Sequence, residues 1–366
     1  MQEPTPRQAR RAQIRAEKAR RRKAKIRARL MEKALRHERD GAFEAFVRLM
    51  WPVVEPRDLE WAPFMSVVCH YLHRQMLGDP EYRKLLILLP PGTAKSILVS
   101  VMAPAYEWLF NPGGRSLFFT GDDDLSTRDS RRTRLALKDP TYQELLAEWC
   151  RRHDSKPWVF AQDQQEKRNF ENTSRGFRQC LTLRTGVTGK RGDKMVIDDP
   201  LDVKAVILGG PEAVEKRCHE AHIIIDQALT TRVNDPRDAP KTLVMQRLHV
   251  NDPAGHALRE GGWKVLCLPM HYNPEHEQAS EDDPRTVPGE RLHPARHTDE
   301  VIAELRRALG RHAEAQLEMN PTPSEGGAVK REWFRERYHC EPEDIAATAD
   351  EVWVTADAAK KGTIEA

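Results

Sequence analysis

Lys84-Leu-Leu-Ile-Leu-Leu-Pro-Pro-Gly-Thr-Ala-Lys-Ser96 is the stretch whose reading decides the fold. The unbroken apolar run at residues 84–89 predicts a strand buried on both faces, as in a parallel sheet. Pro90 to Ala94 then make a tight loop, and Lys95 opens a helix predicted to run to residue 109. Such a turn points backbone N–H groups and a helix N-terminus at one spot, where they can cradle phosphates. Pro91, Gly92, Thr93, Ala94, Lys95 and Ser96 are the expected nucleotide-binding residues. Lys95 would reach the β- and γ-phosphates of ATP, and the Ser96 hydroxyl would ligate Mg²⁺. The stretch departs from G-x-x-x-x-G-K-[ST] at both glycines, where Leu89 and Ala94 stand. An ordinary strand-to-helix turn with a solvent-facing lysine also fits these residues.

About 100 residues further on, Lys194-Met-Val-Ile-Asp-Asp199 is an apolar strand ending in two acids. Asp198 would hold Mg²⁺ and Asp199 would orient or deprotonate the attacking water. Taken alone, Asp-Asp-Pro after a strand is also a common solvated turn. The two elements together on an alternating pattern argue for Mg²⁺-dependent ATP hydrolysis. Further strands are predicted at residues 115–120, 179–183, 195–197, 242–245 and 264–268, with helices between most of them. That alternation predicts a doubly wound α/β fold, a mostly parallel sheet covered on both faces. The strand ending at Thr120 is expected to neighbour the phosphate-loop strand, which would bring Asp122-Asp-Asp124 near the site. Capping of the following helix is the simpler role for these acids.

The 366 residues are 39% hydrophobic and 31% charged, enough for two or three domains. Apolar runs such as residues 85–89 fall far short of the roughly 20 residues a membrane span needs, so no membrane is expected. The first residues lack the apolar core of a secretory signal. The six cysteines form no Cys-x-x-Cys pair and read as reduced thiols in a cytoplasm. The net charge of +3 conceals an asymmetry. Residues 1–40 hold 15 Lys and Arg against 5 Asp and Glu, whereas the rest holds 44 against 51. A basic helical arm on a mildly acidic body is predicted, either a solvated helix or one that meets DNA phosphates. Residues 41–270 would form the ATPase domain with N-terminal helices. Residues 271–349, beginning with a Pro-rich and charged stretch, would form a small linker or lid subdomain containing a helix at residues 299–317.

Several further blocks carry a resemblance. Residues 89–102 resemble the variant phosphate loop of the large terminase subunits of tailed bacteriophages, and Thr185-Gly-Val-Thr-Gly-Lys-Arg-Gly-Asp193 with the following strand resembles their acid block. Thr231-Arg-Val-Asn-Asp-Pro236 and Val244-Met-Gln-Arg-Leu-His-Val-Asn-Asp-Pro-Ala-Gly-His256 resemble the segment that couples hydrolysis to movement. Ala315-Gln-Leu-Glu-Met-Asn-Pro-Thr-Pro323 and residues 326–333 resemble the lead into their nuclease domain. The resemblance implies an ATP-driven motor moving double-stranded DNA into a procapsid. Its partners would be a portal protein, a small terminase subunit and further copies in a ring on the portal, in the cytoplasm of a bacterial host. It assigns Lys95, Asp199 and Gln246 catalytic roles, with Gln246 sensing the γ-phosphate and Arg247 as the neighbour to test.

Two departures from the family are legible. Gly92 stands where many members have an arginine, so Arg128, Arg131 and Arg132 become alternative sources of that cation, or simply solvated arginines. The family continues into an RNase-H-like nuclease, of which Val352-Trp-Val-Thr-Ala-Asp357 resembles the first strand. Asp357 matches the first metal-binding acid, and only nine residues follow it. Residues 350–366 therefore read as an incomplete nuclease start, and the chain is not expected to cut DNA. A non-hydrolysing remnant that binds DNA or portal is the alternative reading, and a helicase-like or transposition ATPase a third. Cys218-His-Glu-Ala-His222 has the wrong spacing for a zinc helix and is expected to be a solvated face. Trp61 could pack near an adenine, but core packing is the simpler expectation. His271, His276, His293 and His297 show no ligand spacing.

Overall fold

Lys84–Leu88 is a strand (β1) lying between two others in a sheet whose further strands are β2 (Arg115–Thr120), β3 (Phe160–Gln165), β4 (Asn169–Asn172), β5 (Phe177–Thr182), β6 (Lys194–Asp198), β7 (Lys241–Met245) and β8 (Lys264–Cys267). The computed structural model describes residues 6–165, 168–182 and 191–322, all within the compact unit formed by residues 1–323. Residues 326–333 and 350–366, with Asp357, lie outside the described residues, as does the stretch 185–190 of the acid block.

The strand order is β3-β4-β5-β2-β6-β7-β1-β8. The six strands from β5 to β8 are mutually parallel, and β3 and β4 add an antiparallel edge. β2 is separated from β1 by β6 and β7, so the expected adjacency of the Arg115–Thr120 strand to the phosphate-loop strand is wrong. Chain order does not fix sheet order, because a crossover can skip positions.

Side chains alternate between two cores, as the period of a strand requires. Leu85 and Ile87 of β1, Phe118 of β2, Val196 of β6 and Val244 of β7 enter one core. Leu86, Leu88, Leu117, Phe119, Met195, Ile197, Leu243 and Met245 enter the other. The first core is covered by α2 (Ala42–Val54), α3 (Pro63–Met76), α4 (Ala103–Phe110), α5 (Asp123–Lys138) and α6 (Pro140–Arg152). The long basic helix α1 (Pro6–Ala34) reaches this core at its C-terminal end through Ala34 and Leu35. It also holds α6 by the ion pairs Arg27–Glu144 and Glu32–Arg152. After a short α7 (Val203–Ile207), helix α8 (Pro211–Thr231) gives Ile225 to the second core, and α9 (Pro253–Glu260) gives Ala254 and Ala257. The expected sheet with helices on both faces is present. Among the described residues, no helix is long and apolar enough to cross a membrane.

Two predicted helices are interrupted. The helix after the phosphate loop begins as a π-helical turn, Ile97–Met102, before α4. Pro104 lacks the N–H that an α-helix would offer to the Ser100 carbonyl, and Arg178 Nη1 donates to that oxygen instead at 2.6 Å. The helix expected at 299–317 divides into α10 (Asp299–Leu309) and α11 (Ala313–Glu318), where Gly310 adopts a φ of 53°. Met270, Ile302, Ala313 and Leu317 form a small core of their own. Of the connector between β8 and α10, Leu292 is buried in the main core.

Candidate active site at the ends of three parallel strands

Because β1, β7 and β6 run parallel, their C-terminal ends open on the same edge of the sheet. The turn after β1 carries the phosphate loop. Gly92 has a φ of 79° and Ala94 a φ of 60°. Ala94 thus takes the left-handed conformation that glycine holds at lower cost, so the loop keeps its path without the second glycine. Thr93 closes the turn by donating its hydroxyl to Pro90 O at 2.7 Å. Leu89, at the first glycine position, is fully buried, and its N–H donates to Met245 O at 3.2 Å.

Beyond the loop, Lys95 turns inward and is 7% exposed. Its Nζ lies 3.1 Å from Asp199 Oδ2. Asp199 follows β6 with a φ of 42°, an uncommon conformation for a residue with a side chain. Its Oδ1 accepts from the Gln246 N–H at 3.3 Å. At the end of β2, Gly121 lies so close to this turn that a Cβ there would meet Pro200 O at 2.6 Å.

Asp198 is 4% exposed and accepts hydrogen bonds from Ser96 Oγ at 3.2 Å and Ser100 Oγ at 2.6 Å. Burial and then the Asp199 charge push its carboxyl up to about 7, against the opposing pull of Ser100 and Lys95. Such a carboxyl is poised to gain from a cation. Gln246, at the end of β7, is also buried, and its Oε1 has no hydrogen-bond partner among the described residues.

The structure therefore brings together Lys95, Ser96, Asp198, Asp199 and Gln246, with Pro91, Gly92, Thr93 and Ala94 forming the loop beside them. Arg247 does not join this group. Its Nε donates to both carboxylate oxygens of Asp252 at 3.0 Å, and its Nη2 donates to the carbonyls of His249 and Val250. Asp252 also caps α9 through the Gly255 N–H at 2.8 Å. The guanidinium holds its own turn, so Arg247 is a structural partner of Asp252.

Three residues behind the site were not found from the sequence. Ser100 is the one polar residue in Ile97-Leu-Val-Ser-Val-Met102, four positions beyond Ser96, and that oddity was a usable signal. Arg178 is buried with its guanidinium 3.5 Å from the centre of the Phe118 ring, and Thr133 donates to the same Ser100 carbonyl at 3.3 Å. Neither carries a sequence signal, because only the tertiary fold brings them to the π-helical turn.

The remaining candidates take their places around this core. Asp122 caps α5 by accepting from the Asp124 N–H at 2.7 Å. Arg128 pairs with Asp129 at 2.8 Å and Arg132 with Glu55 at 3.3 Å, while Arg131 is exposed. Asp129 first, and the charges of Asp198 and Asp122 more weakly, raise the Arg128 pKa. Trp61 packs against the main core and donates its indole N–H to Ser66 Oγ at 2.9 Å. The Cys218–His222 segment is not a uniformly solvated face. Cys218 is fully buried, and His222 stacks on His256 at 4.4 Å. His271 pairs with Glu318 at 2.8 Å, and His276 Nε2 lies 3.0 Å from Glu318 O.

No protein-family model and no curated protein matches this chain. Among solved structures, it is similar to the crystal structure of the HK97 bacteriophage large terminase, with 12% sequence identity and a TM-score of 0.45. The match covers 77% of this chain and 54% of that one, so this chain spans about half the length of the matched protein.

Proposed function

We propose that this protein is an Mg²⁺-dependent ATPase, and that it is the motor subunit of a phage terminase moving double-stranded DNA into a procapsid. The observation that carries the ATPase reading is the meeting of Lys95 with Asp199 and of Ser96 with Asp198, at the ends of two parallel strands. The motor reading rests on the sequence blocks around residues 231–256 and 315–323. It brings with it a portal protein, a small terminase subunit and a ring of copies as partners.

The residues fit the group they would hold. Asp198 is a buried carboxyl raised in pKa, and Gln246 Oε1 is a buried acceptor without a partner. Mg²⁺–ATP, when bound, supplies the reacting phosphoryl group and the charge that offsets it. Ser96 and Asp198 would hold the metal. Lys95 would exchange its bond to Asp199 for the terminal phosphates, which releases the Asp199 carboxylate. Asp199 is then free to orient a water and accept its proton at Oδ2. The Gln246 N–H, bonded to Asp199 Oδ1, ties the end of β7 to that exchange.

The test is steady-state ATP hydrolysis by the purified chain, with and without linear duplex DNA, beside a Lys95→Ala control, with plasmid cleavage followed in the same tubes. Lys95-dependent turnover raised by DNA is expected. No turnover at any protein concentration would sink the motor reading and leave a protein that binds DNA or portal without hydrolysis.

A further inference from the structure

The connector between β8 and α10 reaches the phosphate loop. A Cβ built on Gly92 would lie 3.3 Å from His297 Nε2 and 3.9 Å from its Cε1, so this ring edge occupies the space beside the loop where a side chain would stand. His297 is 4% exposed, and its Nδ1 has no hydrogen-bond partner among the described residues. The backbone that carries the ring is held on both sides. His297 N–H donates to His293 O at 2.8 Å, and Arg291 Nη1 donates to His297 O at 3.2 Å. His293 lies 6.1 Å away, ring to ring, and its own Nε2 meets Glu60 O at 3.0 Å just before α3.

We propose that His297 is a phosphate-contacting residue of the nucleotide site, supplied by the connector to the place that Gly92 leaves without a side chain. The inference rests on the ATPase reading and adds a residue to it. Burial, then His293 and Arg296, push the imidazole pKa down to about 4, so the ring is neutral at neutral pH and carries one N–H. A buried donor without an acceptor is the costlier arrangement, which favours the unprotonated state at the partnerless Nδ1. The proton then sits on Nε2, facing the loop, where a phosphate oxygen is the natural acceptor. The connector would thereby touch the nucleotide directly, and its burial by Leu292 and its bond to Glu60 would pass that contact to the main core.

The experiment measures binding of ADP and of a non-hydrolysable ATP analogue to the full chain and to its Lys95→Ala, His297→Leu and His297→Gln variants. A hydrogen bond to a charged group is worth about tenfold in affinity, so His297→Leu is expected to weaken binding by that factor. His297→Gln keeps an N–H at similar reach and is expected to stay within about threefold of the unaltered chain. Lys95-dependent binding that His297→Leu leaves unchanged overturns this inference alone. Absence of Lys95-dependent binding in the unaltered chain removes the ATPase reading and this inference with it. Equal loss in both His297 variants would mark a merely structural ring and also overturns it. A second readout does not depend on the Leu variant folding. In ¹⁵N-histidine-labelled protein, the Nε2 resonance that is absent from His297→Gln must move when ADP is added, and an unmoved resonance rejects the contact.

Discussion

Ser100 Oγ donates to Asp198 Oδ2 at 2.6 Å, a shorter contact than the 3.2 Å bond from Ser96 to the other oxygen of the same carboxylate. The carbonyl of Ser100 is in turn held by Arg178 and Thr133, so a buried cation and a hydroxyl set the position of the acid through one residue. Ser100→Ala would leave Asp198 Oδ2 buried without that donor. A destabilisation of about 1–3 kcal/mol is expected, read from denaturant unfolding, together with a loss of ATP turnover. Unchanged stability would show that the carboxylate finds another donor.

Ala94 holds a left-handed conformation at φ 60°, which costs a residue with a Cβ about 1–2 kcal/mol. Ala94→Gly removes that strain but adds freedom to the unfolded chain, a loss of about 0.4–1 kcal/mol. The net expectation is a gain of roughly 0.5 kcal/mol, seen as a small rise in the thermal midpoint. A fall would mean that the methyl group packs usefully in the loop.

Gln246 offers a separation of stability from activity. Its Oε1 is a buried acceptor that nothing among the described residues satisfies. Gln246→Leu keeps the volume and removes the unmet acceptor, so folding stability is expected to hold or to rise by up to about 1–3 kcal/mol. Turnover should fall by at least tenfold. Full activity in a stable Leu variant would remove Gln246 from the hydrolytic cycle.

Glu318 ties the connector to the helices that follow it. It accepts from the His271 N–H at 3.0 Å, pairs with His271 Nδ1 at 2.8 Å and bonds to Arg306. Burial alone would raise its pKa, but the hydrogen bonds from His271, helped by the charges of His271 and Arg306, leave it below the ordinary value. A carboxylate with a depressed folded pKa stabilises fully above the unfolded value, near 4.3. That contribution fades as pH falls through the lower folded value. Glu318→Gln is therefore expected to cost about 1–3 kcal/mol at pH 7, with the difference from the unaltered chain closing in acid. A gap independent of pH would assign the effect to packing.

The elements that carry the candidate site are legible in the sequence because their signals are local. An apolar run, a Pro-Pro-Gly turn and Lys95-Ser96 specify a strand, a loop and a helix start within 13 residues. Asp198 and Asp199 announce themselves by ending an apolar strand. What stayed hidden depends on chain crossings. The insertion of β6 and β7 between β2 and β1 could not be read from their order in the chain. β3 and β4 escaped notice because Phe160-Ala-Gln-Asp-Gln-Gln165 and Asn169-Phe-Glu-Asn172 are too polar for the alternation that marks a strand. His297 lies about 200 residues from Gly92, and nothing in its Pro-rich surroundings indicates where that chain segment lands.

The order of strands also sets a ruler across the candidate site. Neighbouring strands stand about 4.8 Å apart, so β1 and β6, with β7 between them, are separated by roughly 10 Å. A short side chain on either strand cannot bridge that gap, whereas a lysine on one side and an aspartate on the other meet at 3.1 Å. The span is fixed by backbone hydrogen bonds on both sides of β7. The same ladders, with the Leu89 N–H on Met245 O and the Asp199 N–H on Val244 O, lock β7 in register with both neighbours, so the Gln246 backbone is pinned midway across the site and only its side chain is left to respond to what lies there.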